Sequence, residues 1–234
     1  MQGRSYIRFN VWQRLEHLLM MVLFILLLVT GLPQKFHTTG WAEWTIAQLG
    51  GIDMARLLHR WAGILLALQA AVDLSVVLFL ILTKRIQASM VVSRKDFVDA
   101  IQMARYCLGL TDRHPKFDRY DYRQKFEYWG LIFGTGIMVV SGFILYFPTW
   151  FTSVLPGQLV PAAKVAHSNE ALLALATILV WHMYGAHLNP DVFPIDTSIF
   201  TGRVSEERMH HEHPLELERL QSAEKAEDRV AVEA

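Results

Sequence analysis

The sequence holds a single cysteine, Cys107. One thiol closes no disulfide within the chain, completes no Cys-x-x-Cys-His motif for covalent haem attachment, and ligates no iron–sulfur cluster. Net charge is missing too, because 22 Lys and Arg balance 22 Asp and Glu. No global field draws in a polyanion, and no nucleic-acid partner is expected. Internal repeats and low-complexity tracts are also absent, which argues against a solenoid or a long linker.

Hydrophobic residues are plentiful instead, at 53% of 234 residues, and they gather into long runs. Four runs suit a bilayer core: Val11–Leu32, Leu57–Thr83, Phe126–Pro148 and Lys164–Leu188. Each reaches the ~20 residues that an α-helix needs to cross about 30 Å of hydrocarbon. The expected fold is therefore all-α, an integral-membrane four-helix bundle over residues 1–188 followed by a charged tail over 189–234. The first run contains Glu16 and His17 and no small-residue cleavage pattern follows it, so it reads as a span, not a signal peptide.

Local charge sets the orientation. Arg4, Arg8 and Arg14 lie at or before the first span, ten Lys and Arg lie from Lys84 to Lys125, and more follow in the tail. The other two connections hold only Lys35, Arg56, Arg60 and Lys164. The positive-inside rule then places both termini and the middle loop in the cytoplasm. The outer loop Pro33–Ala55, with Trp41 and Trp44, predicts a short interfacial helix. The inner loop predicts an amphipathic helix over Ser93–Leu110 on the inner membrane face, with Ser93 as cap and Phe97, Ile101, Ala104 and Leu108 at helical spacing. The tail predicts a helix over Leu215–Ala226 and a disordered end.

Four of the ten histidines fall within the spans or at their ends: His17, His59, His167 and His182. One such histidine is commonly a hydrogen-bonded core residue, but four at matching depths are not so easily explained. His17 begins the first span on the inner side, and His59 begins the second on the outer side. His167 opens the fourth span on the outer side, and His182 lies fifteen residues deeper, about 22 Å along a helix. Fifteen residues also leave the two within roughly 60° of one direction. One histidine pair thus stands at each membrane face, which is what two haem irons held by facing helices of a bundle require. His187 points roughly 160° from His167 in an α-helix and is the weaker ligand.

Glycines fall at the same depths. Gly31 lies fourteen residues after His17 and Gly63 one turn after His59, where a missing side chain lets a macrocycle approach, although such glycines also serve helix packing. Asp73, an acid deep in a span, is fourteen residues after His59 and so shares its face at the depth of the inner pair. It suits a proton route, and a buried Tyr or Arg partner suits it equally. His37 and His114 lie in loops, and His210, His211 and His213 read as a charged tail segment more than as a metal site.

The ordered series of these residues resembles the cytochrome b subunits of membrane-bound formate dehydrogenases and the wider family of respiratory di-haem cytochromes b. The matching stretches begin with Arg14–His17, Thr30–Gly31, Leu58–His59 and Gly63. They continue through Tyr120–Lys125, Tyr128–Trp129, Ser141–Gly142, His167, His182–Tyr184 and Gly202–Ser205, to His213–Pro214. The resemblance implies two haem b groups, the outer one on His59 and His167 and the inner one on His17 and His182. It further implies a quinone, menaquinone or ubiquinone, on the cytoplasmic side, with Gln124 hydrogen-bonding a carbonyl and Asp121 relaying a proton. A bacterial inner membrane is the implied setting, with lipid and a redox subunit as partners. That subunit is an iron–sulfur protein or a multihaem cytochrome c. Two departures stand out. The family's fourth-span histidines can be fourteen apart, and fifteen here adds a rotation of about 100° that a helix bulge would absorb. Asn189–Pro190–Asp191 through Phe193–Pro194 looks more like relatives that dock multihaem cytochromes c.

Two other functions compete with a wire between a redox partner and the quinone pool. One is a self-contained small cytochrome b that oxidises a diffusible reductant such as superoxide. The other is a haem-free membrane anchor, which a visible spectrum separates at once.

Overall fold

The computed structural model describes residues 4–190 and 192–233, so Asp191 of the distinctive Asn189–Pro194 stretch lies outside the described residues. Four helices are long and apolar enough to cross a membrane: Val11–Lys35, Ile52–Leu82, Tyr122–Tyr146 and Leu159–Leu188. In each span at most 11% of the most apolar window is buried within the chain. Apolar side chains that face outward over such lengths suit hydrocarbon, where backbone groups must be satisfied inside the helix.

In chain order the elements are β1 (Ser5–Ile7), α1 (Val11–Lys35), α2 (Gly40–Gln48), α3 (Ile52–Leu82), α4 (Arg94–Cys107) and α5 (Tyr122–Tyr146). There follow α6 (Pro148–Val154), α7 (Leu159–Ala176), two π-helical segments (Thr177–His182 and Tyr184–Leu188), α8 (Ser198–Thr201), β2 (Arg203–Ser205), α9 (Glu206–Glu212) and α10 (Pro214–Glu233). The short helix in the outer loop is α2, and Gly50 and Gly51, both at positive φ, make the turn into α3. The second span starts earlier than its apolar run because Asp53 and Arg56 wind into the same helix. The third ends at Tyr146 because Pro148, which lacks an N–H, opens α6.

Contacts divide the chain into two compact units. One comprises Val11–Arg85 and Gly130–Asp196, with α1 packed along α3 and also meeting α2 and α7. The other gathers the residues before Val11, Ile86–Trp129 and the chain from Thr197 onward. Hydropathy alone draws its line at residue 188, whereas packing joins the tail to the N-terminal strand and the middle loop. In this unit β1 pairs antiparallel with β2, Tyr6 opposite Val204, and Tyr6, Val204, Met209 and Leu217 form its apolar core. The tail's expected disordered end is instead helical to Glu233. Burial of Leu217 and Glu216 anchors the start of α10, which carries the charged turns beyond it.

Glu216 sits at the centre of this unit, 4% exposed, and accepts from the guanidinium groups of Arg8 at 2.7 Å and Arg119 at 2.6 Å. Beside it, buried His213 bonds through Nδ1 to the Asp118 carbonyl at 2.8 Å. Burial, reinforced by Arg8, pushes the His213 imidazolium down to about 4. Between the ordinary value of about 6.5 and 4 the unfolded chain therefore binds more protons, and stability falls as pH falls through that window. Acidification from pH 7 to pH 4 should cost this unit on the order of 3 kcal/mol from His213 alone. Amide exchange of residues 203–217 measured against pH checks this, and His213→Gln should flatten the dependence.

Candidate functional site

In the membrane-spanning unit, α1, α3 and the fourth span carry two facing pairs of imidazoles. The rings of His59 and His167 have centroids 6.2 Å apart and planes at 77°. Those of His17 and His182 are 6.1 Å apart with planes at 32°. Imidazole nitrogens each about 2 Å from one metal place the ring centres roughly 6 Å apart. Both pairs have the separation of two ligands on a shared iron, and among the described residues no acid joins either pair as a third donor.

Hydrogen bonds fix which nitrogen faces inward. Thr30 Oγ1 donates to the Leu26 carbonyl at 2.7 Å, so its lone pair faces His59 Nδ1, 3.0 Å away. Ser141 repeats the device: its hydroxyl donates to the Ile137 carbonyl and lies 3.0 Å from His167 Nδ1. A hydroxyl already donating can only accept from the ring, so Nδ1 carries the proton and Nε2 keeps its lone pair for a metal. Such hydroxyl partners orient the ring and fix its tautomer. Neither Thr30 nor Ser141 stood out in the sequence as an orienting group. The signal was the repeated hydroxyl-then-glycine dipeptide, Thr30–Gly31 and Ser141–Gly142.

The two glycines explain the rest of the local packing. A Cβ on Gly31 would stand 2.8 Å from His59 Cε1, and one on Gly142 would stand 3.3 Å from His167 Cε1. The space at Gly31 adjoins the ring of His59. A Cβ on Gly63 would meet only Leu27, at 3.9 Å. Gly31→Ala should displace the His59 ring, broadening or shifting the spectrum of the His59–His167 centre while that of the His17–His182 centre stays unchanged. Thr30→Val, which removes the acceptor and keeps the shape, makes His59 a less basic ligand and should raise the midpoint potential of the His59–His167 centre without a steric change. Potentiometric titration of both variants tests this.

The fourth span solves the fifteen-residue spacing by changing its winding. Thr177–His182 is π-helical, with i→i+5 bonds that take up one extra residue relative to an α-helix. His182 thereby turns toward His17. The second π segment, Tyr184–Leu188, continues the effect. The winding of this segment is not α-helical, so the α-helical angle between His167 and His187 does not apply to it. The ring that faces His17 is that of His182.

The partner of Asp73 among the described residues is another acid. Its carboxyl hydrogen-bonds the carboxyl of Glu16, the residue before His17, and Gln69 donates to the Glu16 carbonyl at 2.8 Å. A carboxylate has no hydrogen to donate, so a hydrogen bond between two carboxyls requires a proton on one of them. Glu170, in the fourth span, was also overlooked: its carboxyl fills the notch at Gly134, 2.5 Å from where a Cβ would be.

Asp121 and Gln124 belong to the other unit and cap α5 reciprocally. Gln124 N–H donates to Asp121 Oδ1 at 2.9 Å, and Asp121 N–H donates to Gln124 Oε1 at 3.1 Å. Arg123 holds the second Asp121 oxygen at 2.7 Å. This is a capping box, and it accounts for both residues structurally. The Gln124 amide nitrogen takes no hydrogen bond among the described residues.

Four membrane-spanning helices with facing imidazole pairs define a b-type cytochrome, bound without covalent attachment. Residues 8–194 match the family described as prokaryotic cytochrome b561, and the chain belongs to that family. It is 24% identical over 182 residues to the formate dehydrogenase cytochrome b556(fdo) subunit of Escherichia coli K12, covering 78% of this chain and 79% of that protein. The same similarity holds for the corresponding subunits of E. coli O6:H1 and O157:H7. The chain is thus a multi-pass bacterial membrane cytochrome b of electron transport, and its prosthetic group is haem b.

Proposed function

We propose that this chain is the di-haem cytochrome b subunit of a respiratory oxidoreductase complex, passing electrons across the membrane between a redox partner subunit and the quinone pool. One observation carries the reading: two imidazole pairs, each spaced for one iron, use His167 and His182 from opposite parts of a single span. Bound haem supplies reversible one-electron chemistry, and the protein supplies ligands, orientation and burial. Thr30 and Ser141 hold His59 and His167 in one tautomer, and the π-helical winding aims His182 at His17. The Escherichia coli relatives, named as formate dehydrogenase subunits, support a partner subunit. The distribution of Lys and Arg supports cytoplasmic termini, with His59 and His167 toward the outside.

The quinone is assigned to the cytoplasmic side. The Glu16–Asp73 pair, one residue from His17, offers a proton beside the inner ligands. Gln124 can donate to a quinone carbonyl only through Nε2, because its oxygen is committed to the cap. Gln124→Glu keeps that acceptor and removes the donor, so it separates capping from quinone binding. A lost hydrogen bond to a buried carbonyl costs ~1–3 kcal/mol, or roughly five- to a hundredfold in quinone affinity. Gln124→Glu should raise KM for a soluble quinol such as menadiol by that factor, with both haem spectra unchanged. In sealed proteoliposomes an impermeant reductant at the outer face should reduce quinone through the wild type and fail once either pair is broken. Quinone reduction that survives His17→Ala would contradict the wire.

A further inference from the structure

Helix α4 wears its polarity inside out. Its two carboxylates turn inward: Asp96 and Asp99 are buried, Asp96 on Lys125 at 2.9 Å and Asp99 on Lys95. Burial pushes the Asp96 carboxyl up, but Lys125 and the Ser93 cap outweigh it and leave it below its ordinary value. Its apolar side chains turn outward: Phe97 is 65% exposed, Val98 59%, Ile101 63% and Leu108 74%. At about 100° per residue Phe97, Ile101, Ala104 and Leu108 form one stripe, and Arg94 and Arg105 fall along one edge of it. Both arginines are exposed, and neither has an ion-pair partner among the described residues. A helix facing water has the opposite arrangement, and so large an exposed apolar stripe marks a surface that something covers.

We propose that this stripe docks on anionic phospholipid, the apolar residues entering the headgroup boundary while Arg94 and Arg105 meet phosphate groups. Two further features favour lipid as the occupant. The acids that would repel it are withdrawn into Lys125 and Lys95, so the outward face carries cations alone beside its apolar residues. The helix is also tied to the first turns of a membrane span: Lys125 of α5 bonds Asp96 and the Val91 carbonyl, and Trp129 of α5 donates to the Met90 carbonyl at 3.0 Å. Residues tied to the start of a membrane helix are held where it meets the headgroups. An apolar face flanked by arginine is the form of helix that lies in that layer. Electron transfer by the haems is not required for this docking.

The lone cysteine makes the test direct. A nitroxide on Ile101→Cys in a Cys107→Ser background, in the haem-loaded protein, reports depth by its relative accessibility to oxygen and to a water-soluble nickel chelate. In nanodiscs containing phosphatidylglycerol the label should be oxygen-accessible and shielded from nickel. Arg94→Ser and Arg105→Ser should each reduce the docked-to-undocked ratio roughly fivefold, the weight of one cation near an anionic surface. Raised salt should weaken docking in the same direction. A label open to nickel in lipid, and shielded only when other subunits of the native complex are bound, would identify a protein occupant and overturn the proposal. Equal docking in pure phosphatidylcholine, indifferent to both arginine changes, would overturn it as well.

Discussion

Replacing His59 or His167 by alanine should abolish one and the same haem, and replacing His17 or His182 should abolish the other. Each pair places two imidazoles where a single iron needs both, with ring centres 6.2 and 6.1 Å apart. Removal of one member would leave a bound haem a single imidazole from that pair. Haem content should fall from two to one per chain, with a single potentiometric component remaining. Added imidazole should partly restore the missing component, which separates a lost ligand from a lost fold. His187→Ala should leave both components in place, because His182 is the ring that meets His17. If His187→Ala removes the inner component and His182→Ala does not, the π-helical segments have been given the wrong ligand.

The second large effect lies outside the membrane spans. Glu216→Ala should destabilise the unit formed by the N-terminal strand, the middle loop and the tail by about 3–5 kcal/mol, the cost of leaving a buried charge without its partner. Arg8 is only 5% exposed, and burial already draws its guanidinium below the ordinary value against the pull of Glu216. Without that carboxylate Arg8 and Arg119 face each other unneutralised. Glu216→Gln, which keeps the shape and loses the charge, should rescue only part of the loss. Protease nicking within residues 197–233, followed over time, measures this, and equal resistance of wild type and Glu216→Ala would contradict it.

Length and hydropathy made the four spans legible, since a bilayer imposes ~20 apolar residues on any helix that crosses it. Position along the helices already suggested pairing His17 with His182 and His59 with His167, because rise per residue converts position into height, and these are the rings that face each other. What escaped were features that depend on a neighbouring element. The partnership of Asp73 with Glu16 requires α1 beside α3, and the space at Gly31 is set by the His59 ring on another helix. The β1–β2 pair joins three-residue strands 198 positions apart at Ser5 and Arg203, too short for any alternating pattern to show. The π winding of Thr177–His182 and Tyr184–Leu188 also escaped, because rotation was reckoned at α-helical geometry. The cap formed by Asp121 and Gln124 is legible in their spacing, with Gln three residues after Asp at a helix start.

The most direct test of the whole account is the haem content of the purified, detergent-solubilised chain by pyridine haemochrome assay. Two non-covalent haem b per chain are expected, falling to one in His59→Ala and in His17→Ala and to none in the double variant. One haem per wild-type chain, or two that survive the loss of either histidine, would contradict the assignment of one iron to each imidazole pair.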